Sequence, residues 1–174
     1  AMDLKNTIRT IPGFPKEGIM FRDITTLIKD PDALSEANRQ ICEHLKDKEF
    51  DLVLGPESRG FIFGTPVAVT MHKGFVPVRK PGKLPCEVVS KEYDLEYGSN
   101  VLEMHKDAVK AGDKVIIVDD LLATGGTCKA MCELVEQVGA EVVSLCFAIE
   151  LTDLKGRELL KDYDVFSLVE FEGE

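Results

Sequence analysis

Val115-Ile116-Ile117-Val118-Asp119-Asp120-Leu121-Leu122-Ala123-Thr124-Gly125-Gly126-Thr127 brings an apolar strand, two carboxylates and a small-residue loop into one continuous stretch. Four β-branched residues in succession, Val115 to Val118, fit a parallel strand covered on both faces. In open α/β sheets ligands bind outside the carboxyl ends of such strands, so the chemistry belongs just beyond Val118.

Thr124, Gly125, Gly126 and Thr127 are small or hydroxylated. An anion can approach their main chain closely, and the free N–H groups of a following helix, with the threonine hydroxyls, can donate to it. Asp119 and Asp120 do not belong beside that anion, since two unit charges about 4 Å apart repel by about 4 kcal/mol even at an effective dielectric near 20. A vicinal diol would suit a pair of carboxylate acceptors, and so would a Mg²⁺ ion or its water shell. Phosphate beside a diol describes a ribose 5-phosphate. The chain has neither the Gly-x-x-x-x-Gly-Lys-Ser/Thr string of a P-loop nor a Gly-x-Gly-x-x-Gly dinucleotide fingerprint. Taken singly, such residues would make a solvated turn and a helix cap; the string as a whole points to a binding loop.

The same string resembles the phosphoribosyl-pyrophosphate (PRPP) motif of the type I phosphoribosyltransferases. Further blocks, in order, resemble the adenine-specific branch of that family: Ile11-Pro12-Gly13-Phe14-Pro15, Phe21-Arg22-Asp23-Ile24-Thr25, Glu57-Ser58-Arg59-Gly60-Phe61, Arg79-Lys80-Pro81-Gly82-Lys83-Leu84-Pro85, Leu95-Glu96-Tyr97-Gly98 and Leu154-Lys155-Gly156-Arg157. The resemblance covers essentially the whole chain. It implies one α/β domain over residues 1–174, with a central, mostly parallel sheet flanked by helices. A small hood would come from about residues 1–30 and the C-terminal segment, and a flexible active-site loop from about residues 80–100. It also implies Mg²⁺-dependent transfer of a phosphoribosyl group to adenine, giving AMP and pyrophosphate in purine salvage, by a homodimer.

Composition agrees. The 174 residues have room for one domain with a proper core, and 44% hydrophobic residues is ordinary for a globule. Lys and Arg number 21 against 31 Asp and Glu, a net charge of −10, which argues against a nucleic-acid-binding face and against adsorption to anionic lipid. No apolar run has the length of a membrane span, and the amino terminus lacks the basic-then-apolar order of a signal peptide. With five cysteines, an odd set, reduced thiols in a cytoplasmic protein are expected. Cys128 and Cys132 lie four apart on an expected helix, where packing is the simpler role. His44, His72 and His105 have no motif around them.

Helix and strand signals alternate along the chain, the pattern of a parallel α/β sheet. Asp30 caps and Pro31 starts a helix whose Leu34, Ala37, Ile41 and Leu45 share a face. Asp51–Leu54, Phe75–Val78, Val115–Val118, Glu141–Ile149 and Val165–Val169 read as strands. The stretch from Phe61 to Met71 reads as a covered helix, and a second runs through Ala130, Met131, Leu134 and Val135 to a C-cap at Gly139. The polar, Gly- and Pro-punctuated segment from Lys80 to Asn100 breaks the alternation, with only Glu87–Ser90 suggesting an edge hairpin. Inserts of this kind commonly act as lids.

Arg79, Lys80 and Lys83 form a basic cluster in an acidic chain, and Arg59 sits in a Gly-flanked turn after the first expected strand of the sheet. Such cations suit a leaving pyrophosphate, although three basic residues together are more often solvated surface. The resemblance implies that Arg59, Arg79 and Lys83 contact pyrophosphate and that the Glu57–Ser58 peptide is cis. It implies that residues 123–127 hold the 5-phosphate and that Asp119 and Asp120 hold the ribose hydroxyls. Glu96 would be the catalytic carboxylate, with Tyr97 beside it. Adenine would lie between Phe21 and Leu121, its edge read by main chain near Met20 and Arg22. No direct protein ligand for Mg²⁺ is expected, the ion being held mainly by substrate and water.

Other readings remain distinct. A transferase for another purine or for orotate would share the PRPP loop but lack the Phe21-Arg22 and Glu96-Tyr97 blocks. Gly55-Pro56-Glu57-Ser58-Arg59-Gly60 has one residue too many before serine for a Gly-x-Ser-x-Gly elbow. A PRPP-sensing regulator of transcription would need a DNA-reading module or basic face that the chain lacks.

Overall fold

The computed structural model describes residues 3–94 and 98–173. Five parallel strands form its sheet: β3 (Leu52–Pro56), β4 (Gly74–Val78), β7 (Lys114–Leu122), β8 (Glu141–Leu151) and β9 (Val165–Phe171), in the spatial order β4-β3-β7-β8-β9. Helices α3 (Arg59–Thr70), α4 (Gly126–Gln137) and the short α5 (Gly156–Leu159) make the crossovers, and α2 (Pro31–Leu45) leads into β3.

Successive strand residues point to opposite faces, and β7 shows the result. Ile116 and Val118 join Ala37, Ile41, Leu45, Phe63 and Val67 in one buried cluster, whereas Val115 and Ile117 join Met131, Leu134 and Val135 in a second. Helices therefore cover both faces, as the unbroken apolar run requires. Burying a Val, Leu or Ile side chain fully contributes about 1.5–3 kcal/mol, so these two layers dominate the apolar stabilisation. The structure carries β7 four residues past the expected end at Val118, to Leu122. Asp119 and Asp120 thus sit on the strand and not in the loop: β8 continues beside them, pairing Asp119 with Phe147 and Leu122 with Glu150.

Helix α2 starts as expected. The Asp30 carboxylate accepts from Asp32 N at 2.9 Å and Ala33 N at 3.3 Å, and Pro31 takes the first helical position. Helix α4 ends near Gly139, which has φ +86°.

Two small sheets lie outside the main one. β1 (Arg9–Pro12) and β2 (Met20–Asp23) form an antiparallel hairpin that leads into α1 (Thr25–Lys29). An ion pair at 2.6 Å between Arg9 Nε and the buried Asp23 carboxylate joins the two strands. Arg22 reaches the far end of the chain: its Nη2 donates to the Glu172 and Gly173 carbonyls, and its guanidinium lies 4.4 Å from the Phe171 ring centre. The second small sheet pairs β5 (Val88–Asp94) with β6 (Ser99–His105). The hairpin suggested at Glu87–Ser90 is thus longer than expected: its first strand runs to Asp94 and its second reaches His105, while residues 80–87 stay irregular. Its second strand buries Leu102 and Met104 on one face, and Arg79 joins it to the main sheet through paired main-chain bonds to Glu103. No helix among the described residues is long and apolar enough to cross a membrane.

Candidate active site

One cleft of about 530 Å³ opens at the carboxyl ends of β3 and β7. Glu57, Ser58, Arg59 and Lys80 line one side, residues 119–128 the other, and Tyr93, Asn100 and Leu102 of the hairpin the third. Beside it, Phe21, Arg22, Ile24 and Ile149 border a smaller hollow that shares Arg59, Asp120 and Leu121 with the cleft.

The loop after β7 is built as an anion cradle. Gly125 caps α4 with φ +91°, a conformation costly to residues with a Cβ. A glycine cap supplies no side-chain acceptor, so the first-turn N–H groups of α4 border the cleft uncapped. Such groups and the positive end of the helix dipole favour a phosphate. The Tyr93 hydroxyl stands 3.2 Å from Thr127 Oγ1, which ties the hairpin to the cradle.

The two carboxylates have different surroundings. Asp120 is 7% exposed, and its Oδ2 pairs with Arg59 Nε at 2.8 Å. Among the described residues Asp119 lines the cleft without such a partner, apart from the Asp120 N–H donating to its Oδ1 at 2.7 Å. Burial first, and the neighbouring Asp120 charge second, push the Asp119 carboxyl well above the usual range.

The basic residues divide. Arg59 and Lys80 border the cleft; Arg79 is turned to Glu57, donating through Nε at 3.1 Å, and Lys83 is exposed and not part of the cleft wall. The Lys80 main-chain N–H and Arg79 hold the Glu57 carboxylate below its ordinary range. The Glu57–Ser58 peptide is cis.

Phe21, Arg22 and Leu121 line the smaller hollow together, and Phe14 meets the Phe21 ring edge-on at 5.0 Å. Met20 is 38% exposed and is not part of that wall. Glu96 and Tyr97 lie outside the described residues. Tyr93, Asn100, Leu102 and Phe147 are cleft residues that sequence reasoning missed; Phe147 lay in an expected strand, and no local pattern marked the other three as facing the cleft.

Comparison with known proteins agrees with this geometry. The model of the phosphoribosyl transferase domain matches residues 25–173. The adenine phosphoribosyltransferase of Clostridium novyi (strain NT) is 63% identical over 171 residues, 98% of this chain and 99% of the relative. The crystal structure of adenine phosphoribosyltransferase from Thermoanaerobacter pseudethanolicus is 54% identical and superposes with a TM-score of 0.93, covering 97% of this chain and 98% of its own. The Saccharomyces cerevisiae enzyme, solved with an imino-altritol bisphosphate and adenine, is 43% identical with a TM-score of 0.91, covering 95% and 96%. A cradle at the end of β7, an Arg59–Asp120 pair across the cleft and relatives this similar over nearly full length place the chain in the phosphoribosyltransferase family, among the adenine phosphoribosyltransferases.

Proposed function

We propose that the chain transfers the 5-phosphoribosyl group of PRPP to adenine, releasing pyrophosphate and forming AMP, and that residues of the cleft divide the work as follows. The observation that carries this is the joining of a glycine-capped cradle, a carboxylate pair and two cations in one cleft, next to a hollow bounded by Phe21 and Leu121. Ala123, Thr124, Gly125, Gly126 and Thr127 hold the 5-phosphate through main-chain N–H groups and hydroxyls. Asp119 and Asp120 accept from the ribose hydroxyls. Arg59 keeps Asp120 on its Nε and turns its remaining donors to pyrophosphate beside Lys80, while Arg79 and Lys83 serve the outer phosphate. These cations stabilise charge that grows on the leaving oxygen as its bond to ribose C1 breaks.

Adenine enters between Phe21 and Leu121. Main chain near Met20 and Arg22 pairs with the 6-amino edge, and a 6-oxo purine would leave that pairing mismatched and buried. As the bond from C1 to N9 forms, the purine gives up a proton, and Glu96, with Tyr97 beside it, manages that proton through N7 or N9. The β5–β6 hairpin closes over the site and excludes water, which would otherwise compete for C1. Residues 1–30 with the C-terminal segment form a hood over the base.

Among the described residues no group of three or more His, Cys, Asp or Glu side chains could hold a metal ion. The cleft-lining carboxylates Asp119 and Asp120 would instead suit a Mg²⁺ ion that arrives with PRPP and is met through its water shell. When bound, the ion supplies positive charge to the pyrophosphate. The enzyme acts as a cytoplasmic homodimer with no nucleic-acid or membrane partner.

Incubation with PRPP, Mg²⁺ and, in turn, adenine, hypoxanthine, guanine, xanthine and orotate tests the assignment. AMP should form with adenine, and no nucleotide should form with the rest. Product with none of the five would overturn it.

A further inference from the structure

The segment Leu154-Lys155-Gly156-Arg157 lies outside the cleft wall, yet its main chain presses on the cradle from behind. A Cβ on Gly156 would stand 2.6 Å from the Ala123 carbonyl oxygen and 2.7 Å from Leu122 Cδ1, and Leu122 is fully buried. From the other side, a Cβ on Gly125 would stand 3.0 Å from the Gly156 carbonyl oxygen. Two glycines therefore face each other, and only bare main chain fits between Ala123 and Gly125 on one side and Gly156 on the other.

What holds Gly156 there is the next residue. Arg157 Nε lies 2.9 Å from both oxygens of Glu150, a carboxylate 4% exposed inside the sheet. Arg157 Nη1 donates to the Val165 carbonyl and Nη2 to Ser167 Oγ, whose own hydroxyl donates to Glu150 Oε1 at 2.7 Å. Glu150 is also the register partner of Leu122, the last residue of β7 before the cradle. The fork of Arg157 thus fastens Gly156 to β8 and β9 at the level where the loop leaves β7. A carboxylate this buried is costly to leave unpaired, so the arrangement resists loosening.

We propose that Gly156, fixed by the Arg157–Glu150 pair, is a positioning residue that sets the curvature of the cradle, so that recognition of a 5-phosphate depends on a segment that does not touch the substrate. The proposal rests on the reading of residues 123–127 as the 5-phosphate site. Gly156→Ala would push Ala123 outward and tilt the cradle amides, and Arg157→Lys would keep the charge but lose the fork that spans Glu150, Val165 and Ser167.

AMP and adenosine separate the two questions, because they share base and ribose and differ in the 5-phosphate. Dissociation constants for both, measured on the wild-type chain, Gly156→Ala and Arg157→Lys, give the phosphate-dependent part as a ratio. The wild-type chain should bind AMP far more tightly than adenosine. Both variants should lose tenfold or more in AMP affinity with adenosine affinity unchanged, and the KM for PRPP should rise tenfold or more with the KM for adenine unmoved. Equal losses for AMP and adenosine, or no loss for either, would overturn the proposal while leaving the cradle assignment intact. A wild-type chain that does not distinguish AMP from adenosine would overturn the cradle assignment itself. Should Gly156→Ala fail to fold, Arg157→Lys carries the test, with thermal unfolding to show that its fold is kept.

Discussion

Arg59 pairs with Asp120 at 2.8 Å through Nε, and its side chain remains half exposed, which leaves the guanidinium an open side for a second anion. A guanidinium can hold a carboxylate on one edge and phosphate oxygens on another, whereas an ammonium is a point charge that must choose. Arg59→Lys should therefore lower kcat/KM for PRPP about tenfold or more, a loss of about 1.4 kcal/mol in transition-state stabilisation, with the KM for adenine unchanged. Steady-state kinetics with each substrate varied in turn would show this, and an unaltered kcat/KM would remove Arg59 from the pyrophosphate side. The glycine-flanked turn made Arg59 legible as a candidate cation. Its partner was not legible, because the contact depends on β3 and β7 being sheet neighbours, which no local pattern encodes. The Tyr93–Thr127 contact escaped for the same reason, since it depends on how the hairpin packs against α4.

Among elements, those with a full period of burial could be read directly. Helix α2 shows it: cap and proline agree, and Ala37, Ile41 and Leu45 are buried as the spacing requires, whereas Leu34 is only half-buried and Ala33, one turn before Ala37, takes the buried place instead. Asp30→Ala removes the acceptor for two N–H groups and should cost about 1 kcal/mol, seen as a lower urea midpoint at unchanged slope and with activity kept, because α2 does not reach the cleft. Strands β1 and β2, at four residues each, are too short to display a period of two, and cross-strand pairing rather than pattern defines them. The β5–β6 hairpin was half legible. Val88 and Val89 carry a strand signal, but Lys91, Glu92 and Asp94 dilute it, as befits a ribbon with one face in solvent. The extension of β7 past Val118 went unread because carboxylates are poor strand formers, and only the neighbouring β8 keeps them in the sheet.

For the whole molecule, the carboxylates that shape the site and the β1–β2 hairpin oppose one another in their response to pH. The Thr25 hydroxyl and N–H, with Arg9, hold Asp23 below the ordinary carboxyl range, and Glu57 is held low by the Lys80 N–H and Arg79. Their stabilisation is complete above the unfolded pKa of about 4 and is lost as pH falls through the depressed native values. Asp119 has the opposite sign: its raised native pKa means that the folded chain holds a proton the unfolded chain releases, so its contribution declines as pH rises above about 4. Urea midpoints across pH 3 to 8 should therefore show a weaker acid limb in Asp23→Asn. In Asp119→Asn they should show a gain that is absent near pH 4 and grows toward neutrality, at the expense of activity. A gain in Asp119→Asn that does not change with pH would contradict the raised carboxyl.

The pairing of β3 with β7 has a bearing on how the chain reaches this state. Leu52 lies beside Val115, although β4 and the entire hairpin intervene in the chain. During synthesis β3 can pair with β4 early, but its other edge stays open until β7 has emerged, and closing so long a loop is slow compared with local steps. Over that interval Val53 and Leu54, fully buried in the finished fold, border an unpaired edge of the kind that recruits other chains. The same closure carries Asp120 to Arg59, so the seam that covers this edge of β3 and a contact between the two sides of the cleft form together, and a nascent chain assembles its site only as that aggregation-prone edge is sealed.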